Sequence, residues 1–572
     1  MRTSLLVLGL AASLALAAMP GRAAAVAADV RCQVTLPDSA GAPVTGRIFL
    51  VVTRLVAGEP RLVRFGADSS YFGIDVRQWP AGGQAQFDAG AAGYPLRHLG
   101  DLPPGDYRIQ AVLNIYTEFH RADGHVIWAH RDQWEGQKWA ISPGNRVSEP
   151  QPWHWDGRTP APALALTRVI PPIVVPPDTR WVKRIKIESP RLSRFWGQPM
   201  YLGATILLPK GYDEHPGVRY PVIYLQGHFN LGAPFGFTTE PDLPGAKSWA
   251  RLKEEWAAGH LNMPEPPPNN PSNGALANVE SGYEFSQSWR SDGFPRMIAV
   301  SFQHPTPYFD DSYAINSANA GPYGDAIMEE LIPAVEEHFR VIRQSYARVL
   351  AGGSTGGFGS LALQVYHPVF FGGAWCFAPD PVDLRRYYGA VDLYADDNAF
   401  TGYTGRFVYP VRNGGPGNRL TSQETAVLGA EDGGLAWSNL GPVGADGYPR
   451  PFWNLTTGRI DREVVAFLKA HNLDMRDYLQ RNWPRLGPKL VGKLHFYCGD
   501  DDTYYLNLAV YLMEDFLENT HDPYYAGSFT YGRPLKTHGW QPMTNADLVR
   551  IMAKHIDRYS PASEQPAPWL LP

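Results

Sequence analysis

The sequence predicts an α/β fold, a mostly parallel sheet with helices on both faces, preceded by an N-terminal β-sandwich. Three observations carry that prediction. From about residue 180 onward, short apolar runs alternate with amphipathic stretches, the pattern of strands joined by helices. Residues 30–157 instead show apolar runs separated by turn signals, which reads as β structure throughout. Between them lies a stretch containing Pro160, Pro162, Pro171, Pro172, Pro176 and Pro177, stiff and extended, with little capacity to fold alone.

These shifts divide the chain into residues 1–25, a signal peptide; 30–157, a β-sandwich accessory domain; 158–180, a proline-rich linker; and 181–572, the α/β domain. A chain of 572 residues is too long for one ordinary domain. Arg2, the apolar run Leu5 to Met19 and Ala23-Ala24-Ala25 make the signal, so the mature chain is expected to be secreted or periplasmic. No later run is long and apolar enough for stable membrane insertion. Removing 1–25 takes Lys+Arg from 51 to 49 against 56 Asp+Glu, a net charge of −7. That balance excludes nucleic acid as a partner, which would call for a basic patch. The three cysteines, Cys32, Cys376 and Cys498, make neither a disulfide framework nor a zinc site, although one pair could bridge.

Within 30–157, strands are expected near Arg47 to Val56, Tyr107 to Tyr116 and His125 to Ala129, with Asp123-Gly124 as a hairpin turn. In the larger region, Tyr220 to Leu225, Arg296 to Phe302, Val349 to Ala351 and Lys493 to Cys498 read as strands. Ala326 to Arg340, Leu506 to Leu517 and Asn545 to Ile556 read as helices. Residues 229–292, with Pro264 to Pro271 inside, are long and irregular, as expected of an inserted lid or pocket rim.

The chemistry centres on Gly352-Gly353-Ser354-Thr355-Gly356, which follows the strand at 349 and precedes a helix-compatible stretch. A strand, a sharp turn and a helix in that order present the serine hydroxyl at the tip of the turn. With 57 glycines in the chain such a pattern recurs by chance, so its surroundings must decide. Acyl transfer needs a base, a group orienting that base, and oxyanion donors. Asp502, in Gly499-Asp500-Asp501-Asp502 just past a late strand, is the candidate acid, with Asp380 as the alternative. His538, on the loop Lys536 to Trp540, is the candidate base. The backbone N–H groups of Thr355 and of His228 or Phe229 are the oxyanion candidates. His120, His125 and His130 are five apart on a hairpin, so successive members face opposite sides of a strand, and no metal is expected. The tryptophans at 128, 134, 139, 153 and 155 read as β-sandwich core and interface.

Several motifs in order resemble the esterase D-like branch of the α/β hydrolases, the putative esterase and enterochelin esterase-like family. They are Leu207-Leu208-Pro209-Lys210-Gly211-Tyr212-Asp213, then Tyr220-Pro221-Val222-Ile223-Tyr224-Leu225, Glu330 to Glu336, the serine turn, Gly499 to Asp502, and His538-Gly539-Trp540. Together they span about residues 185–560. The resemblance implies an α/β-hydrolase fold, a Ser354, Asp502 and His538 triad, no cofactor, and a small-molecule or saccharide ester substrate. It departs from the family where a usual His-Gly reads Gln226-Gly227-His228. The expectation is an exported serine esterase. The rivals are an acyltransferase on the same triad and a non-catalytic cell-surface or polysaccharide-binding protein.

Overall fold

A computed structural model describes residues 31–572 except 55–57, 64–67, 242–279, 310, 413–416, 418, 420, 422–428, 430–437, 563–568 and 570–572. The signal segment 1–25 and the middle of the expected lid therefore lie outside the described residues.

The site rests on one eight-stranded sheet. Its strands are β1 (Val182–Glu188), β2 (Tyr201–Leu207), β3 (Val222–Gln226), β4 (Ile298–Gln303), β5 (Arg348–Gly353), β6 (Gly373–Phe377), β7 (Leu494–Gly499) and β8 (Ser528–Gly532). The spatial order is β1-β2-β4-β3-β5-β6-β7-β8. β2 runs antiparallel to both β1 and β4, and all other neighbours are parallel. Parallel strands covered on both faces should be apolar without alternation, and β3 and β6 are buried at every position. The chain reverses its direction of travel across the sheet between β3 and β5. Ligand sites of such folds lie outside the carboxyl ends of the strands at that reversal.

The helices include α1 (Gly282–Trp289), α2 (Thr355–Tyr366), α3 (Leu506–Glu518) and α4 (Asn545–Tyr559). The expected single helix over 326–340 is instead three pieces, Tyr323–Ala326, a wide-turn segment Ile327–Leu331, and Ile332–His338. Pro333 has no N–H for the carbonyl a turn earlier, and its ring crowds that carbonyl, so a regular α ladder cannot run through it. The expected lid is corrected at its end. α1 buries Phe285 and Trp289 in the main core, and Trp289 Nε1 donates to the Leu208 carbonyl at 2.8 Å.

Upstream, Val44–Thr53 pairs antiparallel with both Ser69–Trp79 and Gly105–His120. Ile48, Leu50 and Val52 enter one core cluster and Phe49 and Val51 another, the alternation of a strand buried on both faces. A second, three-stranded sheet (Cys32–Thr35, Gln84–Phe87, Leu164–Ala165) shares the first of those clusters. The expected 158–180 linker differs in its first half. Leu164–Ala165 pairs with Val34 and Thr35, and Arg168–Val169 pairs with Arg146–Val147. Only the stretch from Pro171 onward is an exposed connector, because its closely spaced prolines offer few N–H groups to a ladder. Of the tryptophans, Trp153 and Trp155 lie in the core and Trp139 stacks on Phe49 at 4.0 Å. All three cysteines are buried free thiols, so the possible bridge is absent.

Candidate active site

β5 ends at Gly353, α2 begins at Thr355, and Ser354 is the whole connection. Its φ of 57° and ψ of −123° are a strained conformation for a residue with a side chain. Such strain costs on the order of 1–3 kcal/mol and persists only when the surroundings over-determine it. Here they do. Ser354 N–H donates to the Phe377 carbonyl at 2.8 Å, while its own carbonyl accepts from Phe358 N–H at 3.0 Å and Asp380 N–H at 3.2 Å. The flanking glycines are a steric requirement: a β-carbon at 356 would stand 2.1 Å from the Gln226 carbonyl oxygen, and one at 352 would stand 2.3 Å from that of Gly356. The end of β3 thus lies directly on the serine turn.

The late strands bring the other two candidates together. Asp502 follows β7 and is fully buried. Its Oδ1 accepts from the N–H groups of Tyr504 at 2.9 Å and Leu506 at 3.2 Å, which fixes the carboxylate at the start of α3. Its Oδ2 accepts from His538 Nδ1 at 2.7 Å. The neighbouring acids serve other partners: Asp500 accepts from Lys536 N–H at 3.2 Å, and Asp501 pairs with Arg412 at 3.0 Å. His538 sits on the loop after β8, with the Tyr504 ring edge-on at a centroid distance of 4.9 Å. Burial, the largest single influence, would lower its pKa. The charge and hydrogen bond of Asp502, with Asp380 adding, outweigh that and hold it above the ordinary imidazole value.

The imidazole's Nδ1 is therefore held by Asp502 and not by Asp380, the alternative acid. Asp380 is buried past the end of β6 and accepts from Ser354 Oγ at 3.2 Å and Thr355 Oγ1 at 3.1 Å. Of the oxyanion candidates, Thr355 is the first residue of α2, so its N–H is one of those no earlier turn can satisfy. His228 follows Gly227 at the exit of β3, and its exposed imidazole is hydrogen-bonded through Nδ1 to the buried carboxylate of Asp311. Sequence reasoning missed Asp311, because neither spacing nor composition marks a carboxylate 83 residues from its partner.

Among the described residues one cluster brings possible metal ligands together: His130, Asp132 and Glu135, with one atom of each within 4.8 Å of the others. Its members already hydrogen-bond one another and their neighbours. His130 Nε2 meets Glu135 Oε1 at 2.7 Å and Nδ1 meets Asn114 Oδ1 at 3.0 Å. The second Glu135 oxygen accepts from Gln133 N–H at 2.7 Å, and one Asp132 oxygen accepts from Trp134 N–H at 2.7 Å. Each ring nitrogen of His130 thus already faces a protein oxygen, and an ion at this cluster would have to displace one of those contacts. Among the described residues no helix is long and apolar enough to cross a membrane.

No curated protein matches the chain. It is similar to a solved ferulic acid esterase, at 15% identity and a TM-score of 0.33, over 66% of this chain and 98% of that one. An S-formylglutathione hydrolase from Agrobacterium tumefaciens matches at 13% identity and 0.32, over 67% and 98%. A fluorophosphonate-binding serine hydrolase from Staphylococcus aureus matches at 14% and 0.30, over 66% and 98%. Residues 275–432, which contain the strained serine, match the family model described as Putative esterase. Over that stretch the chain is similar to the Putative esterase family.

Proposed function

We propose that the protein is an exported serine esterase that works through an acyl-enzyme on Ser354, with His538 as base and Asp502 as the group orienting it. The observation that carries this reading is the strained turn at Ser354 together with the buried His538–Asp502 pair. Asp502 at Nδ1 leaves Nε2 as the proton acceptor. Ser354 Oγ attacks the ester carbon as its proton passes to His538, and the carbonyl oxygen takes the negative charge. The N–H groups of Thr355 and of His228 receive that charge, reinforced by the positive end of α2. The tetrahedral intermediate collapses as His538 protonates the departing alcohol. Water, activated by the same imidazole, then attacks the acyl carbon and releases the acid.

Residues 30–157 are read as a β-sandwich accessory domain, and the leader 1–25 as the export signal. The substrate is read as a saccharide or small-molecule ester. A fluorophosphonate probe tests the core of the proposal. Wild-type protein should be labelled and should cleave an activated aryl ester, and both should vanish in Ser354→Ala. Wild-type protein that takes no label and cleaves no such ester overturns the reading. A second tenant of the same site, an alcohol in place of water, would appear as a transferred acyl product when a sugar acceptor is added.

A further inference from the structure

We propose that Asp380 is a second carboxylate of the reaction centre, a positioning residue that fixes the hydroxyls of the serine turn and whose charge acts on the imidazole. The inference rests on the serine mechanism above and adds a component that a Ser, His and Asp triad lacks.

Asp380 is 2% exposed, and it is wired to the turn at three points. Oδ1 accepts from Ser354 Oγ at 3.2 Å, Oδ2 accepts from Thr355 Oγ1 at 3.1 Å, and its N–H donates to the Ser354 carbonyl at 3.2 Å. Two hydroxyls donating to its two oxygens suit an ionised carboxylate. The resting nucleophile is therefore held by an acid other than the one that holds the histidine.

The charge balance through the reaction gives this arrangement its consequence. As Ser354 loses its proton to His538, Asp380 loses one hydrogen-bond donor. Oγ becomes an ester-like oxygen, the carbonyl oxygen takes the negative charge, and the imidazole becomes a cation. The Asp380 charge then acts on a cation instead of a neutral ring. Four groups act on that imidazole from the surrounding elements: Asp502 after β7, Asp380 after β6, His228 after β3, and the Tyr504 ring on the acid loop. Asp502 and Asp380 favour the cation, whereas His228 and burial oppose it. An interaction that strengthens as the cation forms lowers the barrier and does not merely tighten substrate binding.

The test is the pH profile of kcat/KM for an activated aryl ester in the full chain, per site counted with the fluorophosphonate probe. Asp380→Asn and Asp380→Ser should each lower kcat/KM about tenfold on the alkaline plateau, equivalent to roughly 1.4 kcal/mol of barrier. Both should also move the acid limb to lower pH, because the charge favouring the imidazolium is gone. Asp380→Glu, which keeps the charge, should restore the limb position. Variants that are labelled and keep the wild-type limb and plateau overturn the inference while leaving the triad intact. A purely structural role would reduce the count of labelled sites without moving the limb, and that result also overturns it. Unlabelled wild-type protein would overturn the serine mechanism itself.

Discussion

Gly356→Ala is the sharpest test of how the turn is built. The added β-carbon would stand 2.1 Å from the Gln226 carbonyl oxygen, 2.5 Å from its carbon and 2.9 Å from the Gly227 nitrogen. All three are backbone atoms, and a carbon normally approaches an oxygen no nearer than about 3.3 Å, so roughly 1 Å of movement is required. Either α2 lifts off the sheet or the end of β3 retreats. In both cases Thr355 N–H and the β3 exit separate, and a 1 Å misplacement costs about 100-fold in rate. Overpacking of this kind also costs about 1–3 kcal/mol, against which glycine-to-alanine in a helix returns only about 1 kcal/mol. Gly359→Ala, on the same helix, supplies the control: its β-carbon would lie 3.3 Å from the Tyr313 carbonyl, a tenths-of-an-ångström adjustment. The assay is kcat/KM per labelled site together with the melting temperature of each variant. Gly359→Ala should retain activity within a few-fold, and Gly356→Ala should lose about two orders of magnitude and melt lower. A Gly356→Ala protein with wild-type kcat/KM and melting temperature would refute the packing of β3 against the turn.

Two further expectations come from the same geometry. The base must be neutral to act, and the His538 pKa is held up by Asp502 against burial, so kcat/KM should fall on acidification with a midpoint above about 6.5. Asp502→Asn should move that midpoint down and cut turnover by about 10³–10⁴; an unmoved midpoint would sever the link between the pair and the rate. Beneath the turn, Arg348 at the start of β5 grips buried Glu336 through Nε at 2.6 Å and a terminal nitrogen at 2.8 Å, while Tyr224 Oη donates to the same carboxylate at 3.0 Å. Glu336→Ala strands a buried guanidinium and should cost about 3–5 kcal/mol, visible as a large drop in melting temperature; a drop of a degree or less would contradict it.

The legible parts of the site are those that backbone chemistry dictates locally. A turn that places two backbones 2–3 Å from a would-be β-carbon admits only glycine, so Gly352 and Gly356 stand in the sequence as direct traces of it. Asp502 and His538 are legible through order and position, because a strand's carboxyl end and the last loop are where such a sheet exposes side chains. What is not legible depends on which strand lies beside which. β5 and β6 are neighbours, and Asp380 therefore meets Ser354 across 26 residues. That contact is set by sheet order, which no local period encodes. Ala326 to Arg340 departs from expectation for a different reason: the apolar spacing is helical, but Pro333 removes one backbone donor, and the period alone does not weigh that loss.

The boundary in the chain shows the same limit from the other side. A proline-rich stretch looks like a hinge because prolines cannot join a ladder, and from Pro171 it is an exposed strand of chain. The packing boundary lies earlier, inside the long strand Gly105–His120. Its first half packs with the N-terminal cluster through Ile109, Ala111 and Leu113, whereas Phe119, with Ile127 and Ala129 of the pairing strand, packs in the core of the sheet that carries Ser354. Buried Arg121 then donates to Tyr308 Oη at 3.1 Å and to the carbonyls of Ala318 and Gly447 at 2.9 Å. Beyond the hairpin, Trp134 meets Phe229 edge-on at 5.2 Å and His130 stacks on Phe309 at 4.7 Å. Phe229 follows His228, and Phe309 precedes Asp311 by two residues. The loops carrying the His228–Asp311 pair are thus backed by side chains from the N-terminal β region. A residue pair at the mouth of the site owes its position to a part of the chain that composition assigns to a different unit.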